Sequence, residues 1–423
     1  MKVFKFGGAS VKNADAIKNV ARIISLYPNE KIGVVISAMG KTTNALEQIV
    51  SDFLARNWNS FEERIHLLEA FHLEIIDCLI KEKNNAIFSE VETIFTLIKE
   101  LKNCQQSKSR AYYYSKTVAQ GEVLSTKIIN AFLIQENFKS KWIDAGQIIK
   151  TENKYLEANI DWLVTENHFL DKFIPEFRRN DILITQGFMG RNQANELTTL
   201  GREGSDFSAG IIAYCCNAES VTIWKDVPGM LNADPKWFEN TVKLDNISFR
   251  EAIELSYYGA SVIHPKTIKP LQNKNIPLYV KSFVNPEKEG TTIHSCTSKD
   301  HLVPSFIFKE NQILFSISPK DFSFIEEENL SDIFRKLSAM DVKINVMQNS
   351  ALNFSIVLDK QRIKLSEFLE IMGESFIIKY NDGLQLITIR HYDQATIDEL
   401  TANKEVILQQ LTRETARFLV KMK

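Results

Sequence analysis

The sequence predicts an α/β chain: a mostly parallel sheet sandwiched by helices, followed by a ferredoxin-like βαββαβ module. Three observations carry this. Short apolar runs ending in glycine alternate with stretches of helical periodicity through the first two thirds of the chain. Composition changes at Lys288–Pro304, which is polar and contains Gly290 and Pro304. Beyond that point strand and helix patterns succeed one another in βαββαβ order. With 423 residues the chain exceeds one typical core and calls for two or three domains.

The first element is a buried strand, Val3, Phe4 and Phe6, broken by Gly7-Gly8. Asn13 then caps a helix whose stripe is Ile17, Val20, Ile23 and Ile24. Lys31–Ser37 is a second strand, and Leu46–Gln106 reads as a helical excursion, with Phe61, Ile65, Leu68, Ile75 and Leu79 on one face. Asp181–Gly187, Ser220–Trp224 and Ile276–Val280 are further short apolar strands. Helices between them imply parallel pairing, with ligands at the carboxyl ends of the strands. The boundary near Lys288–Pro304 closes a domain spanning residues 1–295.

Residues 305–380 form the βαββαβ module. Gln312–Ser318, Val342–Gln348, Asn353–Leu358 and Ser375–Lys379 are its strands. The stripe Leu330, Ile333, Phe334, Leu337 and Met340 marks one helix, and Leu365–Ile371 the other. Residues 381–423 read as a partial second copy. It has a strand at Leu384–His391, a helix near Ala395–Leu400, and strands near Val406–Gln410 and Thr415–Val420. The chain stops before a second helix and last strand can form.

Composition narrows the function classes. A net charge of −2 argues against a nucleic-acid partner held by bulk charge. The five cysteines are scattered without a C-x-x-C pair, which speaks for reduced thiols in a cytoplasm and against a disulfide framework or a zinc site. The N-terminus lacks an apolar signal region, and nothing reaches the length of a membrane span.

Two glycine loops carry the chemistry. Residues 198–210, TTLGREGSDFSAG, set Arg202 and Glu203 between glycines and open an apolar run with Ser205-Asp206. A tight loop feeding a helix start presents free amides to an anion. Arg202 can fork onto a carboxylate, and Asp206 can orient a cation. By spacing alone the stretch is equally a glycine turn with Ser205 or Asp206 as a helix cap. At the N-terminus, Gly7-Gly8 amides point above a sheet edge and Lys5 can place its charge on a phosphoryl group. This N-terminal loop has neither the Rossmann nor the Walker spacing.

Seven segments occur in the order found in aspartokinases: KFGGASV, VVISAMGKTTNAL, AQGEVLS, ITQGFMG, TTLGREGSDFSA, IWKDVPGMLNADPK and YGASVIHPKTIKP. The chain resembles that family over essentially its whole length. The resemblance implies an amino-acid kinase fold with C-terminal ACT modules. It also implies phosphorylation of the side-chain carboxylate of L-aspartate by ATP, with Mg²⁺ held largely by the phosphates and no protein metal site. Positioning and charge neutralisation then suffice. By the same resemblance Lys5 and Asp206 are catalytic, Asp206 orienting Lys5. Thr43, Glu122, Phe188, Arg202 and Ser205 hold the substrate, Glu122 at its ammonium and Arg202 at its α-carboxylate. Gly7, Gly8, Ser37, Lys225, Asp226, Leu231, Asp234, Pro235, Lys236 and Ser261 line the nucleotide site.

Other readings of the same residues are bland. Glu122 is then an exposed acid at a helix start, Thr43-Asn44 a cap, and His264 a structural loop residue. Four positions depart from the family. Lys225 replaces a threonine, Leu231 a tyrosine, Lys236 an arginine and Ser261 a lysine. The ACT modules imply feedback by lysine or threonine at an interface between subunits, and hence a homodimer. No homoserine dehydrogenase module is expected. The competing functions are another amino-acid or carboxylate kinase of this fold, or a catalytically inactive amino-acid sensor.

Overall fold

The N-terminal strand, β1 (Lys2–Phe6), lies at the centre of the first sheet. A computed structural model of the chain describes residues 1–423 apart from 239, 261–262, 299, 301–302, 322 and 423 and the side chain of Met422. After β1 a tight helical turn (Gly8–Val11) precedes α1 (Ala14–Ser25), so the glycine turn does not feed the helix directly. Asn13 caps α1 as expected, accepting from the Ala16 amide at 2.9 Å. Then come β2 (Ile32–Ile36), α2 (Thr42–Leu54), α3 (Trp58–Leu79), α4 (Ala86–Lys99) and the long α5 (Arg110–Gln135). Of these four helices α2, α3 and α4 overlap the stretch Leu46–Gln106 read as a helical excursion, and α5 lies beyond its end. Next are β3 (Ser140–Ile143), α6 (Ala145–Ile148), α7 (Trp162–His168), β4 (Ile182–Gln186), the hairpin β5 (Met189–Arg191) and β6 (Leu197–Thr199), and α8 (Gly204–Cys215). β7 (Ser220–Lys225), β8 (Asn246–Ser248), α9 (Phe249–Tyr258), α10 (Pro265–Asn273), β9 (Leu278–Ser282) and β10 (Thr291–His294) follow.

The first sheet has the order β3-β4-β2-β1-β7-β9-β10-β8. β3, β4, β2, β1, β7 and β9 run parallel, and β10 is antiparallel to β9. Strands β1, β2 and β4 are buried along nearly their whole length, which is why they read as unbroken apolar runs. The chain leaves β1 on one side to reach β2 and on the other lies β7. The carboxyl ends of β1, β2, β4 and β7 therefore surround a topological switch point.

The second sheet is antiparallel. Its elements are β11 (Ser305–Pro319), α11 (Glu327–Ala339), β12 (Ile344–Asn349), β13 (Phe354–Asp359), α12 (Leu365–Gly373), β14 (Phe376–Arg390), α13 (Gln394–Thr401), β15 (Lys404–Leu411) and β16 (Thr415–Met422), in the order β12-β13-β11-β14-β16-β15. Two expectations fail here. The strands expected at Ser375–Lys379 and Leu384–His391 are one strand, β14, and β11 is equally long. The second module is also not left without its last strand. Ser305–Lys309 pairs with Leu386–Arg390 and takes that place in the sheet, while Gln312–Pro319 serves the first module. A local sequence pattern cannot show this, because the strand arrives from the far end of the module. The register slips between Lys309 and Leu314, beside Asn311 (φ 54°) and opposite Gly383 (φ 69°).

Alternate residues of β11 face different cores. Ile313, Phe315 and Ile317 meet α11 and α12, whereas Leu314 packs with Val346, Val357, Leu386 and Leu419 between the two modules. The described chain divides into two units. Met1–Met230, Lys243–Ile253 and Val262–Lys299 form the first, and Leu231–Val242, Glu254–Ser261 and Asp300–Lys423 the second. Among the described residues no helix is long and apolar enough to cross a membrane.

Candidate active site

Close approach of backbones builds the site at the switch point. A β-carbon on Gly8 would lie 2.7 Å from the Ala38 carbonyl oxygen, and the Gly40 amide donates to the Gly8 carbonyl at 3.0 Å. The loops after β1 and β2 thus touch where only glycine fits. Gly187, after β4, has the same role. A β-carbon there would sit 2.4 Å from Ser205 Cβ, so glycine lets α8 start against the end of β4. Ahead of α8, Glu203 is left-handed (φ 53°), as is Phe188 (φ 65°) after Gly187. Such backbone strain gathers where geometry serves a ligand.

These loops enclose a cavity of about 600 Å³. Lys5, Gly8, Ser37, Thr43, Glu122, Phe188, Arg202, Ser205, Asp206 and Lys225 all line it. Lys5 is buried on β1 and its Nζ lies 2.7 Å from Asp206 Oδ1. Lys225, at the end of β7, reaches Asp206 Oδ2 at 3.7 Å. One buried carboxylate therefore holds two ammonium groups at the cavity wall. Asp206 lies in the first turn of α8, where the helix dipole favours its charge. The cap at this helix start is Glu203, without a side-chain hydrogen bond, so Ser205 and Asp206 are not its caps.

Glu122 is not an exposed helix-start acid. It lies in the interior of α5 and is buried. Ser205 Oγ donates to its Oε1 at 3.0 Å. Burial raises its carboxyl to about 7 against the opposing pulls of Ser205, Lys5 and the Ala38 and Gly187 amides. Its Oε2 has no hydrogen-bond partner. Arg202 is exposed, and among the described residues no carboxylate pairs with it. A free guanidinium and a half-satisfied buried carboxyl thus face one cavity, complementary to a zwitterion.

Several expected residues are not brought into this cavity. Gly7 lies beside it, 3.3 Å from Lys5 Nζ if it carried a β-carbon, and Asp226 is exposed beyond β7. Leu231, Asp234, Pro235 and Lys236 belong to the second unit and do not line it. The Asp234 carboxylate accepts from the Lys236 amide at 2.9 Å. Ser261 lies outside the described residues. Thr43 lines the cavity, one residue inside α2, whose cap position is Lys41. His264 caps α10, accepting from the Lys266 amide, in line with a structural role.

Sequence reasoning missed Glu47, Tyr114, Leu156, Glu157 and Thr199, which also line the cavity. Tyr114 Oη donates to Glu47 Oε1 at 2.7 Å, and burial with that bond pushes the phenol up. Both sit on helices where polar residues read as solvated faces. The loop at Glu157 carries no motif. Among the described residues no group of three metal-ligating side chains is assembled.

Comparison with known proteins gives the fold a lineage. Residues 1–282 match the model of the amino acid kinase family. The bifunctional aspartokinase/homoserine dehydrogenase of Buchnera aphidicola is 30% identical over 91% of this chain, which spans 47% of that protein's length. Aspartokinase 1, chloroplastic, of Arabidopsis thaliana is 30% identical over 87% of the chain and 65% of its own length. The lysine-sensitive aspartokinase 3 of Escherichia coli is 28% identical over 84% and 78%. The crystal structure of E. coli aspartokinase III with aspartate and ADP superposes with a TM-score of 0.82 at 24% identity, covering 99% of this chain and 96% of that one, which is a likeness of fold.

Proposed function

We propose, from the premise that the chain belongs to the amino acid kinase family, that it transfers the γ-phosphoryl group of ATP to the side-chain carboxylate of L-aspartate, forming 4-phospho-L-aspartate and ADP. One observation carries this: Lys5, Asp206, Lys225, Arg202 and Glu122 converge on a single cavity. Arg202 takes the α-carboxylate as a bidentate partner, and Glu122, ionised, takes the α-ammonium. The attacking carboxylate is charged at neutral pH and requires no base. An aspartate oxygen forms the new P–O bond as the bond to the β,γ-bridging oxygen breaks, and the charge leaves on ADP. Lys5, held by Asp206, faces the charge on the phosphoryl oxygens. Mg²⁺ enters with the triphosphate as part of the substrate. The names of the relatives, aspartokinases from bacteria and a plant, support this reading.

The test is ADP release coupled to an NADH readout, with hydroxamate trapping of the acyl phosphate. Aspartate should give both signals. Glutamate giving them instead would make the chain another carboxylate kinase, and silence with every acceptor would make it a sensor. Lys225 is part of the proposal, since it lines the cavity and reaches Asp206 Oδ2 at 3.7 Å. Lys225→Met should raise the KM for ATP roughly tenfold, the worth of one charge-assisted contact. Lys236→Met tests the second lysine assigned to the nucleotide, and unchanged kcat and ATP KM in both variants would remove the lysines from the nucleotide site.

The proposal extends to regulation. The second unit holds two ferredoxin-like modules, and E. coli aspartokinase 3 is named for its lysine sensitivity. Millimolar lysine or threonine should inhibit, through a homodimer joined by these modules. Flat activity in both titrations, alone and combined, would oppose this. Five free cysteines suit a cytoplasmic setting for the first step toward lysine, threonine and methionine.

A further inference from the structure

Glu203 lines the cavity of the first unit, and the phosphoryl transfer leaves it without a task. Its backbone is left-handed, with φ 53° and ψ 28°, at the position before α8. Its carbonyl accepts from the Asp206 and Phe207 amides at 3.0 and 3.1 Å, so the first turn of the helix holds it there. That conformation is costly for a residue with a β-carbon, and glycine adopts it freely. The carboxylate returns nothing to the helix, since it makes no capping bond. Its Oε2 is enclosed and has no hydrogen-bond partner. Among the described residues no cation lies within ion-pair distance of it. A strained backbone and a donorless acid both cost stability, and at a cavity wall the two together mark a place for a ligand.

The neighbouring groups define the chemistry of that ligand. The other acids of the wall are differently placed. Asp206 has Lys5 and Lys225, and Glu47 has the Tyr114 hydroxyl. Glu157 is exposed, its Cγ 2.8 Å from where a β-carbon on Gly201 would lie. Glu203 directly follows Arg202, the residue assigned to the α-carboxylate. It comes two residues before Ser205, whose hydroxyl holds Glu122. It thus belongs to the stretch of chain that meets the amino acid. Burial raises the Glu122 carboxyl to about 7, so at neutral pH that group alone supplies only part of the negative charge an ammonium calls for. A second carboxylate supplies the rest, and an ammonium is the donor that Glu203 lacks.

We infer that Glu203 is a second acceptor for the α-ammonium of the substrate, and that it makes the site select α-amino acids over dicarboxylates of the same length. The inference rests on the reading of this cavity as the seat of an amino acid, and adds to it a residue that sets specificity. The ligand-free protein bears the strain, and the bound ammonium offsets it.

Calorimetric titration of the full chain with L-aspartate and with succinate, which is aspartate without its ammonium, tests this. Glu203→Gln keeps the shape and removes the charge. It should weaken aspartate roughly 10-fold, as expected for a lost charged hydrogen bond, and leave succinate unchanged or tighter. In turnover the KM for aspartate should rise by the same factor, with kcat and the KM for ATP held. Removing any negative charge near an anionic ligand would tighten aspartate as well as succinate, so tighter binding of both would overturn the inference. A rise confined to the KM for ATP would also overturn it, by placing Glu203 on the nucleotide. Glu203→Gly removes the strain along with the charge. Without ligand it should melt higher than the parent, yet bind aspartate as weakly as Glu203→Gln does. Unchanged aspartate affinity in both variants would show that Glu203 contacts no substrate. The parent protein tests the proposed reaction separately. If glutamate is the acceptor, glutamate and glutarate give the same comparison. A parent that binds either amino acid without transferring phosphate refutes the reaction and leaves the Glu203 comparison readable. A parent that binds no α-amino acid refutes both.

Discussion

Lys5→Ala is expected to lower kcat by about 10² to 10³, the usual effect of deleting a preorganised charge aimed at a developing one, while the KM for aspartate stays near its original value. The split follows from position. Lys5 sits with the Asp206–Lys225 pair, whereas Arg202 and Glu122 are the groups shaped for the amino acid. The complication is stability. Asp206 has a side chain only 3% exposed, and losing one partner leaves it with Lys225 at 3.7 Å. The double variant Lys5→Met/Asp206→Asn removes both buried charges together and should melt closer to the parent than Lys5→Ala does. It should remain as inactive. Turnover that returned with stability in the double variant would mean that Lys5 maintains the fold and leaves the phosphoryl group alone.

Glu122→Gln should affect stability and binding in opposite senses. The Glu122 carboxyl stands at about 7 in the folded chain against 4.5 when free. Because the folded value is the higher, its favourable contribution is complete below pH 4.5 and disappears as pH rises through about 7. By pH 8 the ligand-free protein carries a penalty of about 3 kcal/mol. Glutamine carries none. Urea melts should therefore show the parent losing stability between about pH 5 and about pH 8, with Glu122→Gln flat and more stable at the upper end. Aspartate binding should run the other way. Its ammonium favours the ionised carboxylate, so the parent KM should fall across the same range, and the variant should have a higher KM without that slope. Parallel stability profiles for the two proteins would show that the carboxyl is ionised without cost, and that its burial is already compensated.

The parallel sheet was legible because its strands are buried on both faces and are followed by glycine at once or within five residues, so composition and punctuation agree for Lys31–Ser37, Asp181–Gly187 and Ser220–Trp224. The Lys5–Asp206 pair was accessible only through the family resemblance. Spacing alone left the Ser205-Asp206 stretch evenly divided between an anion-facing loop and a helix cap, and the cap position is that of Glu203. Glu122 reads as a surface acid because nothing local reveals that α5 runs beneath the loops it meets. Glu47, Tyr114 and Glu157 are brought in by tertiary packing and leave no trace in periodicity. The long strands were misread for a related reason. A left-handed Asn311 and Gly383 look like turn residues, and in β11 and β14 they mark a slip inside continuous strands.

The interleaving of the two units along the chain bears on how such a protein can be cut or recombined. Leu231–Val242 and Glu254–Ser261 are detours taken by the unit that otherwise begins at Asp300. Ala233 and Phe238, on the first detour, bury themselves with Phe306, Ile389 and Phe418. A fragment ending before Asp300 would carry these apolar side chains without their partners, and a fragment starting there would lack a piece of its own interior. Neither half is a portable cassette. Exchange of the C-terminal region between relatives must transplant three stretches at once, which makes shuffling by simple gene fusion an improbable route to new regulation.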